Sequence, residues 1–366
     1  MIGLTYKDAG VDYDPVDAFK RYAQACAYQT KGNTARHGVA DVTESRGESV
    51  HLLELPDRYL AFVDEGLGTK SVIARRVAWR ERSALWRGLA QDTVAMAVND
   101  MITLGAQPLN ASMHLQVAES EWFGCRERWQ ELCTGWYAAC NDAGCVRGPG
   151  ETPVLRDVIV PGECSLSAAC VGQIHPKSRR IMGDVQPGDR IVLLGSSGMH
   201  ANGLTLARRI ADRLPDGYQT PVPGSDVPFG ELLLTPTTIY ARFVEACLEK
   251  GVRIRYLVNI TGHGWRKLMR LETNMRYVIE KLAPELPVFA FIQAKGAVST
   301  SEMYQTFNMG AGFAVYVHPD DVPSVLELAS RHRHTAIDAG FIEPGEKSVF
   351  IEPLGITYTA ESLRVR

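Results

Sequence analysis

The segment Leu85 to Pro108, L-W-R-G-L-A-Q-D-T-V-A-M-A-V-N-D-M-I-T-L-G-A-Q-P, decides how the first half of this chain folds. Leu85 and Leu89, then Val94, Val98, Met101 and Leu104, fall at helical spacing. Gly105 stands where a C-cap glycine belongs, and Pro108 lies just beyond it. Asp92, Asn99 and Asp100 interrupt the apolar pattern. Asp92 and Asn99 are seven residues apart and share a face, and Asp100 lies within about a quarter turn of it. A carboxylate on a largely apolar helix needs a partner, and a hydrated cation bound to phosphates is one. A solvated stripe on a surface helix is the other reading.

Outward from this helix, the first half alternates strand-like and helix-like segments. Pro15 to Ala27 reads as a helix with Asp14 as N-cap and with Phe19, Tyr22 and Cys26 on one apolar face. Ser49 to Leu55 and Tyr59 to Asp64 read as strands joined by a Pro-Asp-Arg turn. Ala111 to Val117 follows as a strand, and Glu121 to Ala143 as a long helix capped by Ser120. Its Trp122, Trp129, Leu132, Trp136 and Cys140 recur at helical spacing and read as core. Cys164 to Ile174 reads as the last strand of this half. The Pro-, Gly- and Lys/Arg-containing segment 175–189 is the linker candidate, which gives units 1–174 and 190–366. Beyond it, Arg190 to Leu194 reads as a strand and Leu204 to Leu214 as a helix, with alternation to a final strand at Val349 to Glu352. The fold class is therefore α/β, of the α+β type, in two mixed domains.

The 366 residues exceed what one core usually supports, and 45% hydrophobic with 22% charged residues is ordinary globular composition. A net charge of −3 argues against a nucleic-acid partner, which would call for a concentrated basic face. None of the eight cysteines forms a C-x-x-C pair, so a zinc ribbon is not expected. The first ten residues lack the basic start and apolar core of a signal peptide, and no apolar run approaches a membrane span. A cytoplasmic protein with reduced thiols is the expectation.

Several motifs accompany the opening helix. V-D-E-G-L-G-T-K (Val63 to Lys70) follows a strand, and G-P-G-E-T-P spans Gly148 to Pro153. G-S-S-G-M-H-A-N-G (Gly195 to Gly203) joins a strand to a helix, where free amides suit an anion. N-I-T-G-H-G-W (Asn259 to Trp265) and M-Y-Q-T-F-N-M-G-A-G (Met303 to Gly312) follow. With T-Y-K-D-A-G-V-D (Thr5 to Asp12) and L-L-T-P-T-T-I-Y (Leu233 to Tyr240), the ordered set resembles the phosphoribosylformylglycinamidine cyclo-ligase family, or aminoimidazole ribonucleotide (AIR) synthetases. The resemblance runs from about Thr5 to about Glu352.

The resemblance implies two AIR synthetase-type domains, the N-terminal one binding ATP and forming a homodimer through a barrel-like sheet interface. It implies ATP and Mg2+ as cofactors, leaves K+ open, and makes a small-molecule ribonucleotide the substrate, with no nucleic acid or membrane partner. In such enzymes ATP phosphorylates the formyl amide oxygen of formylglycinamidine ribonucleotide. The amidine nitrogen then closes the imidazole ring and phosphate leaves. Phosphoryl transfer needs carboxylates for metal, cations for phosphates and glycines for close backbone approach. On this resemblance Lys70, Asp100 and Glu151 are the catalytic candidates, and Glu65, Asp92, Asp100 and Glu151 the metal ligands. Nucleotide and substrate contacts are assigned to Glu65, Gly66, Gly68, Thr69, Lys70, Asp92, Asn99, Gly198, His200, Asn202, Thr261 and Gly262.

The chain departs from the family pattern at several points. Glu65 replaces an aspartate, Asn259 a histidine, His263 a glycine and Met309 a cysteine. The glycine-rich lid of many members is replaced by the polar segment Gly32 to Glu48, expected to be a mobile cover. A related ATP-dependent reaction on another amide, or a nucleotide-binding role without turnover, stays open at this point.

Overall fold

A computed structural model describes residues 3–77 and 84–363. The first half comprises α1 (Tyr13–Tyr28), β1 (Ala40–Asp41), β2 (His51–Glu54), β3 (Tyr59–Gly66), α2 (Lys70–Val77), α3 (Leu85–Met101), β4 (Gln107–Val117), α4 (Arg126–Ala143), β5 (Val146–Glu151) and β6 (Cys164–Ile174). Its six strands run in the order β1-β2-β3-β6-β4-β5. Only the β4–β5 pair is parallel. α3 and α4 pack on one face of this sheet. Strand alternation shows which face: on β6, Leu166, Ala168 and Cys170 are buried, whereas Ser165, Ala169 and Val171 are exposed.

The second half comprises β7 (Arg190–Gly195), α5 (Leu204–Ala211), α6 (Phe229–Leu233), α7 (Ala241–Glu249), β8 (Ile254–Asn259), β9 (Met275–Ile279), α8 (Pro287–Gly296), α9 (Thr300–Thr306), β10 (Ala311–Val317), α10 (Val322–Arg331), β11 (Ala336–Pro344), β12 (Ser348–Ile351) and β13 (Ile356–Thr359). The sheet order is β13-β12-β9-β11-β7-β10-β8. β10, buried at every position, sits between β7 and β8. Among the described helices none is long and apolar enough to cross a membrane.

α3 spans the expected helix and is extended by a 3-10 turn, Ile102–Leu104, that ends at Gly105 in the left-handed conformation. A Cβ at Gly105 would lie 2.4 Å from the Arg179 carbonyl oxygen, so only glycine allows this contact. The 175–189 segment is docked there: Ile181 N–H donates to the Leu104 carbonyl at 3.0 Å, and Ile181 and Val185 are buried.

Four sequence expectations need correction. α1 begins two residues earlier, at Tyr13, with Asp12 rather than Asp14 as its cap; the Asp12 carboxylate accepts from Asp14 N–H at 3.1 Å. Its Phe19 and Tyr22 are 71% and 72% exposed, and the buried residue is Asp17. Periodicity defines a face but not its direction, and α1 lies on the second half through its polar side. The long helix of the first half breaks at Cys125, whose backbone is extended, so that Ser120–Gly124 is a separate 3-10 turn and α4 starts at Arg126. Finally, β12 is not the last strand, because β13 pairs with it antiparallel.

Candidate active site

α3 is buried on almost every side, including at Asp92, Asn99 and Asp100. All three face the second half. Lys70, at the start of α2, puts its ammonium 2.8 Å from Asp92 and 2.7 Å from the Thr235 carbonyl oxygen, with both charged side chains fully buried. Asp92 also accepts from Thr237 N–H at 2.8 Å and from the Thr237 hydroxyl. Burial lowers the Lys70 pKa and raises that of Asp92, each countered by the opposite charge. Asn99 donates to the Thr238 carbonyl at 2.8 Å and accepts from Tyr240 N–H at 3.0 Å. Lys70, Asp92 and Asn99, expected at nucleotide and metal, thus bond to the segment 235–240 between α6 and α7.

Asp100 is placed differently. It accepts from Asn259 Nδ2 at 2.7 Å and lines a cleft of about 370 Å³ with Glu65, Glu48, Met96, Asn202, Thr261 and Gly262. Lys20, Lys267 and Arg270 line the same cleft. Glu65 is the last inward-facing residue of β3, so the strand end delivers its carboxylate beside Asp100. Burial first, and then the Asp100 charge, push the Glu65 pKa well up, while Lys267 opposes the shift. Lys267 is pulled down by burial, against the pull of Asp100 and Glu65. Its ammonium is held by the Thr261 hydroxyl. Arg270 reaches back to Ser49 Oγ at 2.9 Å and the Gly47 carbonyl at 2.7 Å.

The segment expected as a mobile lid is anchored at its far end, where Val42 and Ser45 are buried and Ser45 Oγ accepts from Leu52 N–H at 2.9 Å, while Gly32 to Gly38 is largely exposed. Glu151 stands apart. Residues Glu65, Ala168, Met113 and Gly150 form one row across β3, β6, β4 and β5. Glu151, next along, is therefore about 14 Å from Glu65, from three strand spacings. It is exposed on the far face, opposite His114. Of the four expected metal ligands, Glu65 and Asp100 come together; Asp92 and Glu151 do not join them. Among the described residues no three His, Cys, Asp or Glu side chains are gathered as a metal cluster.

In the 195–203 loop only Asn202 reaches the cleft. Gly198 packs on Thr235, where a Cβ would lie at 3.2 Å, and its carbonyl accepts from Asn308 Nδ2 at 2.9 Å. His200 is buried in the left-handed conformation, with no protein partner for either ring nitrogen. Burial pulls its pKa down to about 3. The unfolded chain therefore takes up this proton first as pH falls through 6.5, and stability is lost from there towards 3. At pH 5 the loss is about 2 kcal/mol. His200→Asn, which tolerates a positive φ, should shrink the difference in unfolding free energy between pH 7.5 and pH 5 by about that amount. An unchanged difference in urea titrations would rule His200 out as its source.

Gly66 ends β3, and Gly68 and Thr69 lie in the turn to α2; Gly68 has φ +71° and, like Gly66, has open space where a Cβ would lie. Thr261 and Gly262 line the cleft. Sequence reasoning missed Lys20, Lys267 and Arg270. The spacing of Arg266, Lys267 and Arg270 directly after the T-G-H-G-W motif was the available signal.

A cleft lined by three carboxylates, Glu48, Glu65 and Asp100, together with two lysines and an arginine suits a phosphorylated ligand carried with a divalent cation. The family models described as AIR synthase related protein, N-terminal domain and C-terminal domain, match residues 47–174 and 186–352. The phosphoribosylformylglycinamidine cyclo-ligase of Methanococcus maripaludis strain C5 is 33% identical over 341 residues, covering 93% of this chain and 92% of that protein. The enzyme of the same name from a Synechococcus species is 34% identical, over 89% and 90% of the two chains. Among solved structures, a HypE–HypF complex aligns with TM-score 0.60 at 16% identity, over 86% of this chain and 92% of that one. A ThiL complexed with AMPPCP and TMP aligns with TM-score 0.57 at 16% identity, over 86% and 90%. These two share the fold. Matched along nearly its whole length by relatives of one name, and by both domain models in order, the chain belongs to the phosphoribosylformylglycinamidine cyclo-ligase (AIR synthase) family.

Proposed function

We propose that this protein is the ATP-dependent cyclo-ligase that converts formylglycinamidine ribonucleotide to aminoimidazole ribonucleotide, ADP and phosphate in purine biosynthesis. The observation that carries this is the 33% identity, sustained over 93% of the chain, to a protein named for that reaction. The cleft is consistent with it. Lys20, Lys267 and Arg270 supply positive charge for phosphates, and Asn202, Thr261 and Gly262 supply polar groups and close backbone approach.

Glu65 and Asp100 are the hard oxygen donors that fit Mg2+, which commonly binds through one or two carboxylates and completes its shell with phosphate oxygens and water. When bound, the ion would neutralise phosphate charge as the γ-phosphoryl group passes to the formyl amide oxygen. In the closing step the amidine nitrogen forms a bond to the activated carbon, the carbon–oxygen bond breaks, and phosphate leaves with that electron pair. Asn259 holds Asp100 in place through its 2.7 Å hydrogen bond. Lys267 and Arg270, on the wall of the same cleft, would balance the charge of the departing phosphate. The test is phosphate release from ATP and Mg2+ with formylglycinamidine ribonucleotide, followed in parallel with the aminoimidazole product. Equal amounts of both establish the reaction. Phosphate without imidazole, or neither, overturns it.

The uncovered face of the first sheet bears Phe62, Val171 and Leu109, each more than one-third exposed; Phe62 and Val171 are directly paired across β3 and β6. An apolar sheet face left open to water is a self-association surface, and we assign it to a homodimer. Phe62→Lys should shift the particle from dimer to monomer mass in sedimentation equilibrium. A dimer of unchanged affinity would place the interface elsewhere.

A further inference from the structure

Tyr13, Asp17 and His263 form a cluster between α1 and the loop after β8. His263 carries φ +67° with glycines on both sides in the chain, so a bulky residue stands in a conformation that favours glycine. Such strain persists where the surroundings hold it, and it concentrates at functional sites. The ring is stacked on Tyr13 at 3.9 Å between centroids and 27° between planes. Tyr13 Oη in turn accepts from His263 N–H at 3.3 Å. The imidazole is 4% exposed, yet neither ring nitrogen has a hydrogen-bond partner within the protein. Its Nε2 lies 3.7 Å from Asp17 Oδ1, itself buried and without a partner.

Two buried polar groups left just beyond hydrogen-bond distance are costly unless something completes them. The position of the ring says what that is. His263 belongs to the wall of the 370 Å³ cleft and also to that of a second cavity of about 170 Å³ on the Asp17 side. With Nε2 directed at Asp17, Nδ1 is left for a ligand.

We propose that His263 contacts the ribonucleotide in the cleft, its Nδ1 accepting from a ligand hydroxyl or N–H while Asp17 takes Nε2–H and fixes the ring. Asp17 is then a positioning residue, acting through His263. This rests on the cyclo-ligase reading for the identity of the ligand. The phosphate end of that ligand meets Lys20, Lys267 and Arg270, and His263 reads its polar body.

The test combines kinetics with ring spectroscopy on the full chain. His263→Gly removes the imidazole and relieves the positive φ, so its melting temperature should not fall. Its KM for formylglycinamidine ribonucleotide should rise about 10-fold or more, the effect of one lost hydrogen bond to a buried group, while KM for ATP stays within about 2-fold. Asp17→Asn should produce a smaller change, and the double variant should be no worse than His263→Gly alone. In ring-labelled wild-type protein, the His263 Cε1–H resonance should move when the ribonucleotide is added, which a packing histidine would not require. Product formation by His263→Gly at wild-type KM and kcat, or a ring resonance that stays still in active protein, overturns the proposal. If the wild type forms no aminoimidazole, it is the reaction assignment that fails. Titration with ribose 5-phosphate then decides this one: movement of the ring resonance sustains the contact, and none removes it.

Discussion

Lys70→Met is expected to lower folding stability by about 3–5 kcal/mol, the usual cost of stripping one partner from a buried ion pair. The Asp92 carboxylate would remain fully buried, with Thr237 as its remaining donor. Burial already raises its pKa even beside the ammonium, and without Lys70 the shift becomes larger. A carboxylate raised in the folded state binds its proton there before the unfolded chain does, so the variant loses stability as pH rises and regains part of it as pH falls. Urea titrations should therefore find the wild-type-to-variant gap narrower at pH 5 than at pH 7.5. Lys70→Met combined with Asp92→Leu should recover most of the loss, because no charge is then left unpaired. A single variant within about 1 kcal/mol of wild type at pH 7.5 would show that the pair does not hold the halves together.

Asp100→Asn should reduce turnover by about 1,000-fold, equivalent to about 4 kcal/mol of transition-state stabilisation. The substituted amide keeps the side-chain shape and an oxygen to accept from Asn259 Nδ2, so the fold and the melting temperature should be preserved. What it loses is one of the two carboxylates assigned to the metal ion, Glu65 being the other. The effect should appear in kcat, with nucleotide affinity measured without metal unchanged. Wild-type turnover in this variant would remove Asp100 from the reaction. Asn259→His puts an imidazole beside the same carboxylate; a rate change of less than about 3-fold is expected if Asn259 serves only to hold Asp100.

Much of this could be read from the sequence, for identifiable reasons. The α3 helix and its end were visible because apolar spacing and the Gly105 cap are local signals. β6 was visible as a local, largely apolar run, although its strict alternation lies in burial and not in residue type, since Ala168 to Val171 are all apolar. The partners of the polar residues were not. A carboxylate on an apolar helix is equally compatible with a metal, with solvent or with a second domain, and the sequence does not say which element lies opposite. Asp92 found Lys70 and Thr237, whereas Asp100, eight residues on, found the cleft. Glu151 illustrates another limit: a glycine-flanked carboxylate looks catalytic in one dimension, but sheet order put three strand spacings between it and Glu65. α1 misled for a third reason. Its aromatic stripe resembled a core face, while its buried side is set by Asp17 and Tyr13 against His263.

The way α3 is gripped also limits how the molecule can breathe. Asp92, Asn99 and Asp100 fasten it to Thr237, Thr238, Tyr240 and Asn259 at two levels about two turns apart. A jaw-like opening would have to break all of these buried bonds at once, whereas displacing α1 disturbs mainly its own edge. Entry and exit of ligand should therefore run through a side door at α1, with the two sheets travelling as one block.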